Sequence, residues 1–396
     1  MPPLFTVAIV VFLEIICLGA IFPTLPRYTL DLGGTALLVG IIMAMVPAPK
    51  IFSNPLWGKL SDRLGRKRVF SIIMLGAIAS SAVWALAQPL GQLTGIPPLW
   101  WLGASRLVAG IFGVQATLAF AVASDVTAPA KRTAALGLLG AAFGVGLTVG
   151  FPFGGIVAKH FGYPAVGWLM VICETLALLT ILLFLRETRR PEVHADELTA
   201  QAAGSMLHRP VFIILIIAGL LTTVGLSILT PTLSLYVKDL YRFDDEHAGY
   251  AFLIFGLMSV IVQGGLIRPV VKHLGEKRTF ILGSVILAAG FVMFGVQPPL
   301  IWFWPGITLI GLGAGFYSPA LAGLFSIHAS DHEQGSAHGL NQGVTSLGRM
   351  IAYPLAGAIY AVNPGSPYLL GAALLTLGLL PLMLRAGSRG GKPTSV

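Results

Sequence analysis

Apolar segments recur along the whole chain, and each is close to or above the roughly 18 residues that a helix needs to cross a bilayer. Short polar, glycine-rich or proline-rich stretches separate them. This alternation predicts an all-α integral membrane protein with twelve transmembrane helices. The predicted spans lie near residues 5–26, 36–57, 69–88, 98–123, 133–157, 164–186, 210–236, 247–268, 279–297, 299–325, 335–361 and 366–385.

Segments of the first half of the chain recur in the second half. PTLPRYTLDL at residues 23–32 and PTLSLYVKDL at residues 231–240 share six of ten positions. LGRKRVF at residues 64–70 and LGEKRTF at residues 274–280 form another pair, and further matches keep the same order. Parallel repeats of this kind predict two bundles that are related by a pseudo-two-fold axis along the membrane normal.

The only long polar interruption lies between the two copies of the repeat. It divides the chain into a six-helix bundle over residues 1–186, a cytoplasmic linker over residues 187–209 and a second six-helix bundle over residues 210–396. Each bundle then contains six of the predicted spans.

Composition and charge support a membrane protein. Hydrophobic residues make up 56% of the chain and charged residues 10%, whereas ordinary soluble domains are about 25% charged. The net charge of +9 could indicate a nucleic-acid partner, but eighteen Lys and Arg residues lie on one set of alternate loops and four on the other. Such an excess marks the cytoplasmic side. We therefore expect a multi-pass protein of the cytoplasmic (inner) membrane, with both termini cytoplasmic and no nucleic-acid partner.

The loop between the second and third spans carries the most specific motif. Residues 58–67 read GKLSDRLGRK, and the spacing G-x-L-x-D-R-x-G-R-K resembles the signature loop of the major facilitator superfamily, in the place where that loop belongs. The segment from Leu102 to Gly110 resembles the family's fourth-helix motif, with Ala109 in place of the usual Gln. The likeness is strongest to the twelve-helix drug/proton antiporters, especially the tetracycline-efflux group, and extends to FLRET at the end of the sixth span.

The fifth span contains GLTVGFPFGG at residues 146–155. It resembles the antiporter signature G-x-x-x-G-P-x-x-G-G, with the proline displaced by one residue. Glycines four residues apart share one helix face and allow another helix to approach closely. They can serve packing alone, or they can keep the antiporter interface tight. The resemblance to this family implies that a set of residues takes part in gating. This set is Gly58, Asp62, Arg63, Gly65, Arg66, Lys67, Asp125, Gly146, Gly150, Pro152, Gly154 and Gly155.

Ionisable residues inside the spans point to the mechanism, because charges are unfavourable in lipid and normally face the interior of a bundle. Glu14 and Lys50 lie at similar depth from the cytoplasmic face, and Glu174 and Arg106 lie deeper. A carboxyl group between apolar helices favours its protonated form unless a base holds it ionised. Switching between these forms would couple transport to protons, so we expect no cofactor, with protons as the coupling ion. The alternative is a permanent structural ion pair.

Arg349 lies near the middle of the eleventh span, and its half offers no acid within the membrane. It could bridge to Glu14 or bind an anionic or zwitterionic substrate. Other aromatic and amide residues suit an amphipathic ligand, although each can equally be a packing residue. The predicted substrate-binding set is Arg349, Asn341, Gln342, Gln115, Phe112, Phe143, Phe255, Gln263 and Phe316.

The histidines near the tenth and eleventh spans resemble a metal site, since His328 and His332 are four residues apart and Asp331 and Glu333 lie beside them. They form one short cluster without cysteine, so a solvated loop is the better interpretation and no metal site is predicted.

The sequence contains neither the phosphate-binding loop of ATP-driven proteins nor the nucleophile motif of hydrolases. We therefore expect a secondary transporter and no enzyme. Its expected partners are an amphipathic small-molecule substrate and the lipid bilayer, and we expect it to act as a monomer. The predicted function is proton-coupled efflux, by antiport, of amphipathic small molecules such as drugs. The alternatives are an exporter or flippase of anionic or zwitterionic lipid-like molecules, and a facilitator-family transporter with another coupling mode.

Overall fold

The computed structural model of the chain describes residues 2–128, 132–188, 206, 208–330 and 333–384, and the regular structure in these residues is helical. The helices of the first half are α1 (Pro3–Asp31), α2 (Ala36–Ala44), α3 (Pro47–Leu64), α4 (Arg66–Ala85), α5 (Ala87–Thr94), α6 (Pro98–Phe112), α7 (Gln115–Val126), α8 (Arg132–Phe161) and α9 (Tyr163–Phe184).

The second half repeats this plan. Its helices are α10 (Pro210–Ser227), α11 (Leu229–Tyr241), α12 (Asp245–Ile261), α13 (Ile267–Gly295), α14 (Leu300–Ile327), α15 (Gln334–Tyr360), α16 (Ser366–Leu377) and α17 (Leu380–Leu384). A π-helical turn, Val262–Leu266, joins α12 to α13.

Ten helical stretches of the described chain are long and apolar enough to cross a membrane. One of them, Asp245–Gly295, is 51 residues long and contains two predicted spans, which meet at a non-helical residue, Gly275. Helix α15 is 27 residues long but more polar, because it carries residues such as Asn341 and Arg349. With these two stretches the structure agrees with the twelve predicted spans.

Several predicted spans contain a short break in the helix, within stretches that are still long and apolar enough to cross a membrane. Pro47 and Pro231 have no N–H to donate to the carbonyl four residues earlier, so the helix stops and restarts between α2 and α3 and between α10 and α11. Gly113 leaves the helical region, with φ −79° and ψ 47°, and separates α6 from α7. Each break lies inside a membrane-length stretch, so it changes the direction of side chains along the span.

The two copies of the LG-x-KR segment have the same local structure. Gly65 and Gly275 both adopt positive φ, 101° and 75°, which glycine reaches at little steric cost. Two residues later in each copy, a lysine binds the last turn of the final helix of its half. Lys67 Nζ donates to the Leu182 carbonyl at 2.8 Å, and Lys277 Nζ donates to the Leu382 carbonyl at 2.5 Å. The repeat in sequence is therefore also a repeat in structure.

The described residues fall into two compact units. The first comprises those of Met1–Glu192, Leu229–Leu257 and Tyr353–Pro364, so it contains the first half of the chain together with α11, most of α12 and the end of α15. The second comprises those of Val193–Ile228, Met258–Ala352 and Gly365–Val396. The predicted domain limits at residues 186 and 210 remain a prediction.

The glycine face of α8 packs directly on α1 inside the first unit. A methyl group added to Gly146 would lie 2.9 Å from Ile15 Cβ, and one added to Gly150 would lie 2.5 Å from the Ile16 carbonyl oxygen. These distances are too short for a side chain, so the spacing of the glycines sets how closely the two helices approach.

Candidate functional site

A cluster of charged side chains lies inside the first unit. Its members come from four helices that lie far apart in the sequence. They are Glu14 of α1, Lys50 of α3, Arg106 of α6 and Glu174 of α9. Glu14 interacts electrostatically with Lys50 and with Glu174, and Glu174 interacts in the same way with Arg106. All four residues predicted to take part in proton coupling are therefore brought together.

Polar and aromatic neighbours contact Glu174 and Arg106 of this cluster. Ser81 Oγ donates to Glu174 Oε1 at 3.0 Å. The Arg106 guanidinium lies 4.7 Å from the centre of the Trp84 ring, and its Nε donates to Ser105 Oγ at 3.2 Å. An aromatic face and a hydroxyl compensate part of the lost hydration of a buried cation. Ser81, Trp84 and Ser105 were not predicted, since nothing in their spacing distinguishes them from packing residues.

Gly113 makes room for the lysine of the cluster. A methyl group added at this position would lie 2.7 Å from Lys50 Cε and 3.0 Å from Nζ. The break between α6 and α7 therefore has a second effect besides ending a helix, because it leaves space for the lysine side chain beside the acids.

Two carboxyl oxygens of the cluster, Glu14 Oε2 and Glu174 Oε2, are buried and have no hydrogen-bond partner among the described residues. A buried carboxylate normally has its oxygens satisfied. An unsatisfied oxygen is compatible with a carboxyl group that carries a proton in one state and loses it in another. Each of the two carboxyl groups can thus be neutral or ionised, and Lys50 and Arg106 are the neighbouring cations that would offset the ionised forms.

A second cluster lies where α3 ends and α4 begins, within residues 58–67, which the structure makes helical on both sides of Gly65. The Arg66 guanidinium contacts Asp62 at 2.7 Å, Asp125 at 3.0 Å and the Ser61 hydroxyl at 2.6 Å. The Glu187 carboxylate accepts from the backbone N–H of Arg66 at 2.7 Å and of Lys67 at 3.3 Å, at the start of α4. Four of the predicted gating residues, Asp62, Gly65, Arg66 and Asp125, are therefore neighbours.

Two other predicted gating residues of this segment, Gly58 and Arg63, lie beside the cluster. The Gly58 carbonyl accepts from Ser61 Oγ at 2.7 Å, and Arg63 is exposed. Of the α8 set, Gly146, Gly150 and Gly154 face α1, whereas Gly155 faces the backbone of Asp245. Pro152 follows Phe151, whose ring stacks on Phe252 with centroids 5.4 Å apart.

The second unit contains a polar pocket of about 70 Å³ between α10, α14 and α15. Asn341, Thr345 and Arg349 line it from one face of α15, since they follow one another at four-residue steps. Asn341 Oδ1 is buried without a hydrogen-bond partner among the described residues. The other lining residues are Thr223, Leu226, Ser227, Tyr317, Ser318 and Leu321.

Tyr317 anchors the wall of this pocket. Its hydroxyl lies 2.9 Å from Thr223 Oγ1 and 3.2 Å from Thr222 Oγ1. Arg349 and Asn341 belong to the predicted substrate-binding set, whereas Tyr317 and the other hydroxyl residues of this pocket were not predicted. Thr345 could have been found from its four-residue spacing to both predicted residues.

Several other residues predicted to bind substrate contribute to helix packing. Phe112 fills the space over Gly76 and lies 5.4 Å from Trp57, and Phe316 packs beside Gly283. Gln263 lies on the π-helical turn and donates to Ser259 Oγ at 2.9 Å. Gln115 is buried, Phe255 is half-buried, and Phe143 and Gln342 are exposed.

The histidine-rich segment is only partly described, because Asp331 and His332 lie outside the described residues. Glu333 accepts from Arg209 at 2.6 and 3.0 Å and from the Ser330 N–H at 3.0 Å. His328 Nδ1 lies 2.9 Å from the Leu324 carbonyl oxygen. These contacts tie the start of α10 to the segment before α15.

Comparison with known proteins identifies the family. The family model of the Major Facilitator Superfamily matches residues 7–353 and 264–395. The class E tetracycline resistance protein of Escherichia coli is 27% identical over 388 residues, which cover 94% of this chain and 93% of that protein. The class C tetracycline resistance protein of Escherichia coli is 28% identical over 394 residues, which cover 96% of each.

Solved structures show the same fold. The human organic anion transporter MFSD10 (TETRAN) superposes with a TM-score of 0.70 at 20% identity, covering 96% of this chain and 99% of that one. The nucleoside transporter NupG superposes with a TM-score of 0.77 at 14% identity, covering 99% and 100%. The predicted all-α transporter fold is thereby confirmed, and the protein is a transporter and not an enzyme. The chain belongs to the major facilitator superfamily of membrane transporters.

Proposed function

We propose that the protein exports amphipathic small molecules, drugs among them, in exchange for protons by alternating access. The observation that carries this proposal is the pair of unsatisfied carboxyl oxygens, Glu14 Oε2 and Glu174 Oε2, inside a cluster with Lys50 and Arg106. The relatives named for tetracycline resistance support export of a drug. In this proposal the protein is a monomer of the inner membrane, and both of its termini are cytoplasmic.

Glu14 is the leading proton carrier in this proposal. When its carboxyl group loses a proton, the neighbouring ammonium group of Lys50 offsets the new charge, so the ionised form can exist within the bundle. When the carboxyl group is protonated, the Glu14 side chain is neutral. The protonated and ionised forms of Glu14 differ by one charge within the bundle. Each form can therefore favour a different conformation of the transporter.

The pocket of the second unit is the proposed place of substrate contact. It combines a guanidinium from Arg349, an amide from Asn341 and several hydroxyl groups with the apolar side chains of Leu226 and Leu321. Ligand sites with apolar walls and a few polar groups suit amphipathic molecules.

Transport in proteoliposomes tests the coupling. With tetracycline as the probe, Glu14→Gln should abolish accumulation that is driven by a pH gradient, because the amide cannot carry the proton. Exchange of labelled for unlabelled tetracycline at equal pH should continue, since it needs no net proton movement. Glu14→Asp is the matched control and should keep part of the driven transport. Accumulation by Glu14→Gln at the wild-type level would show that coupling lies elsewhere.

A further inference from the structure

Arg27 is an almost fully buried cation that the repeat does not explain. It lies within PTLPRYTLDL of α1, and the matching position of the second copy is Leu235. Its side chain is 3% exposed and forms an ion pair with Asp245 at 3.3 Å. Its Nε and Nη2 donate to the Ser234 carbonyl at 3.2 and 3.1 Å, and Nη2 donates to the Phe243 carbonyl at 2.9 Å. Every one of these partners belongs to the second half of the sequence, within the first unit.

Further polar contacts join the same parts of the first unit. Lys159, at the end of α8, contacts Asp244 at 3.0 Å and Glu246 at 2.5 Å. The Tyr163 hydroxyl of α9 donates to Asp245 Oδ2 at 3.1 Å. The Asp245 carboxylate thus pairs with Arg27 of α1 and accepts a hydrogen bond from Tyr163 of α9.

The backbones also touch beside these contacts. A methyl group on Gly249 of α12 would lie 2.8 Å from the Phe151 carbonyl oxygen of α8. Gly40 of α2 faces the Tyr353 carbonyl, and Gly357 of α15 faces the Ala36 carbonyl, both with no space for a side chain. No path for a substrate passes between helices whose backbones are in contact.

These contacts lie at the ends of the spans that the charge asymmetry places outside the cell. We propose that Arg27 and Asp245 form an outer lock, supported by Tyr163 and by Lys159 with its two acids, which holds the outer side closed and must separate before substrate can leave. The lock rests on the alternating access of the proposed function, but it does not depend on which residue carries the proton.

A buried ion pair loses more when one partner is removed than it gains when the pair forms. Removing one partner leaves the other charge buried without compensation, which is unfavourable. A guanidinium that also satisfies two backbone carbonyls fixes the geometry of the closed state, because it presents several donors in one plane. Opening must hydrate all of these groups together, so the lock separates as one unit.

Electron paramagnetic resonance distance measurements test the lock directly. Spin labels at Leu93 and Val362, each 83% exposed, report the separation of the first and second halves at the outer side. Both natural cysteines, Cys17 and Cys173, are buried and are replaced by alanine. We expect one short distance in the otherwise unchanged protein. Asp245→Asn and Arg27→Gln should each raise the population with a longer distance at least threefold.

Arg242→Gln is the matched control, because it removes an exposed positive charge from the same side and should leave the distances unchanged. If Arg27→Gln does not fold, Asp245→Asn and Tyr163→Phe still test the lock. Unchanged distances in folded Asp245→Asn and Tyr163→Phe proteins would overturn it. Because the distances are measured without a pH gradient, failure of Glu14→Gln to uncouple transport would affect the proposed function and leave this result untouched.

Discussion

At the scale of single residues, two buried arginines, Arg27 and Arg106, lie where specific neighbours compensate for lost water. Arg106 has an aromatic ring and a hydroxyl, and Arg27 has carbonyls and a carboxylate. Arg349 differs from both, because it is exposed to a polar pocket and lies close enough to Tyr317 for an electrostatic interaction. A solvated guanidinium in a pocket is available to a ligand, whereas one held by the protein is not.

Arg349→Gln should therefore change the ligand preference. Anionic and zwitterionic ligands should bind more than tenfold more weakly, a change of about 1.4 kcal/mol, while neutral ligands of similar size should bind as before. Equilibrium binding of a charge-sorted ligand series to purified protein measures this. Arg278→Gln, which removes an exposed positive charge of the same unit, should change none of the affinities. Equal weakening of every ligand class would instead indicate a structural role for Arg349.

Glu333 gives a pH-dependent contribution to stability. A hydrogen bond from the Ser330 backbone and the hydrogen bonds from Arg209 hold the pKa of its carboxyl group below the usual value. The stabilisation is therefore complete above the pKa of the unfolded chain, about 4.3, and is lost as pH falls through the lower folded value. The difference in melting temperature between wild type and Glu333→Gln should stay constant from about pH 6 to about pH 5 and should shrink as pH falls below about 4.3 towards the lower folded pKa. A difference that does not shrink below that pH would contradict the prediction.

At the scale of elements, the contact between α1 and α8 depends on glycine. Gly150→Ala would place its methyl group 2.5 Å from the Ile16 carbonyl oxygen, and overpacking of this kind typically costs about 1–3 kcal/mol. We expect a lower melting temperature and less folded protein in the membrane. Gly140→Ala on the same helix is the control, because nothing lies within 4 Å of the added group. Equal stability of the two variants would show that α1 and α8 can separate without loss.

The junction between α3 and α4 provides a contact that we expect to affect function more than stability. Asp62 is 54% exposed and pairs with Arg66 at 2.7 Å, and exposed pairs contribute only about 0–1 kcal/mol. Asp62→Asn should therefore leave the melting temperature nearly unchanged while it reduces the initial rate of tetracycline transport several-fold, as expected for a gate contact. Transport at the wild-type rate would refute a gating role for this pair.

At the scale of the whole molecule, the distribution of basic residues predicts the membrane orientation. Eighteen basic residues lie on one set of loops and four on the other, so the loop that contains α5 is expected outside the cell. Gly95 is a poor reporter position, because it adopts φ 70°, and the neighbouring Leu93 is 83% exposed. A single cysteine at Leu93 should react with a membrane-impermeant reagent added outside, and one at Ser205 should react only after the membrane is opened. The reverse pattern would invert the topology.

The sequence by itself determined the class, the number of spans and the family, because apolar length, basic-residue asymmetry and the spacing in residues 58–67 are local properties of the chain. It also identified Glu14, Lys50, Arg106 and Glu174, since charges in lipid are unfavourable enough to stand out in any apolar span. Small polar residues carry no such signal, which is why Tyr317 and Ser81 were missed.

Only the tertiary structure decided which of these residues meet. Ser81 reaches Glu174 across 93 positions of sequence, and Arg27 reaches Ser234 across 207. Contacts of this kind depend on the rotation of each helix about its axis, and the breaks at Pro47, Gly113 and Pro231 change that rotation along a span. Apolar residues surround most positions of a membrane helix, so periodicity alone does not reveal its inward face. Packing of the complete set of helices settles it.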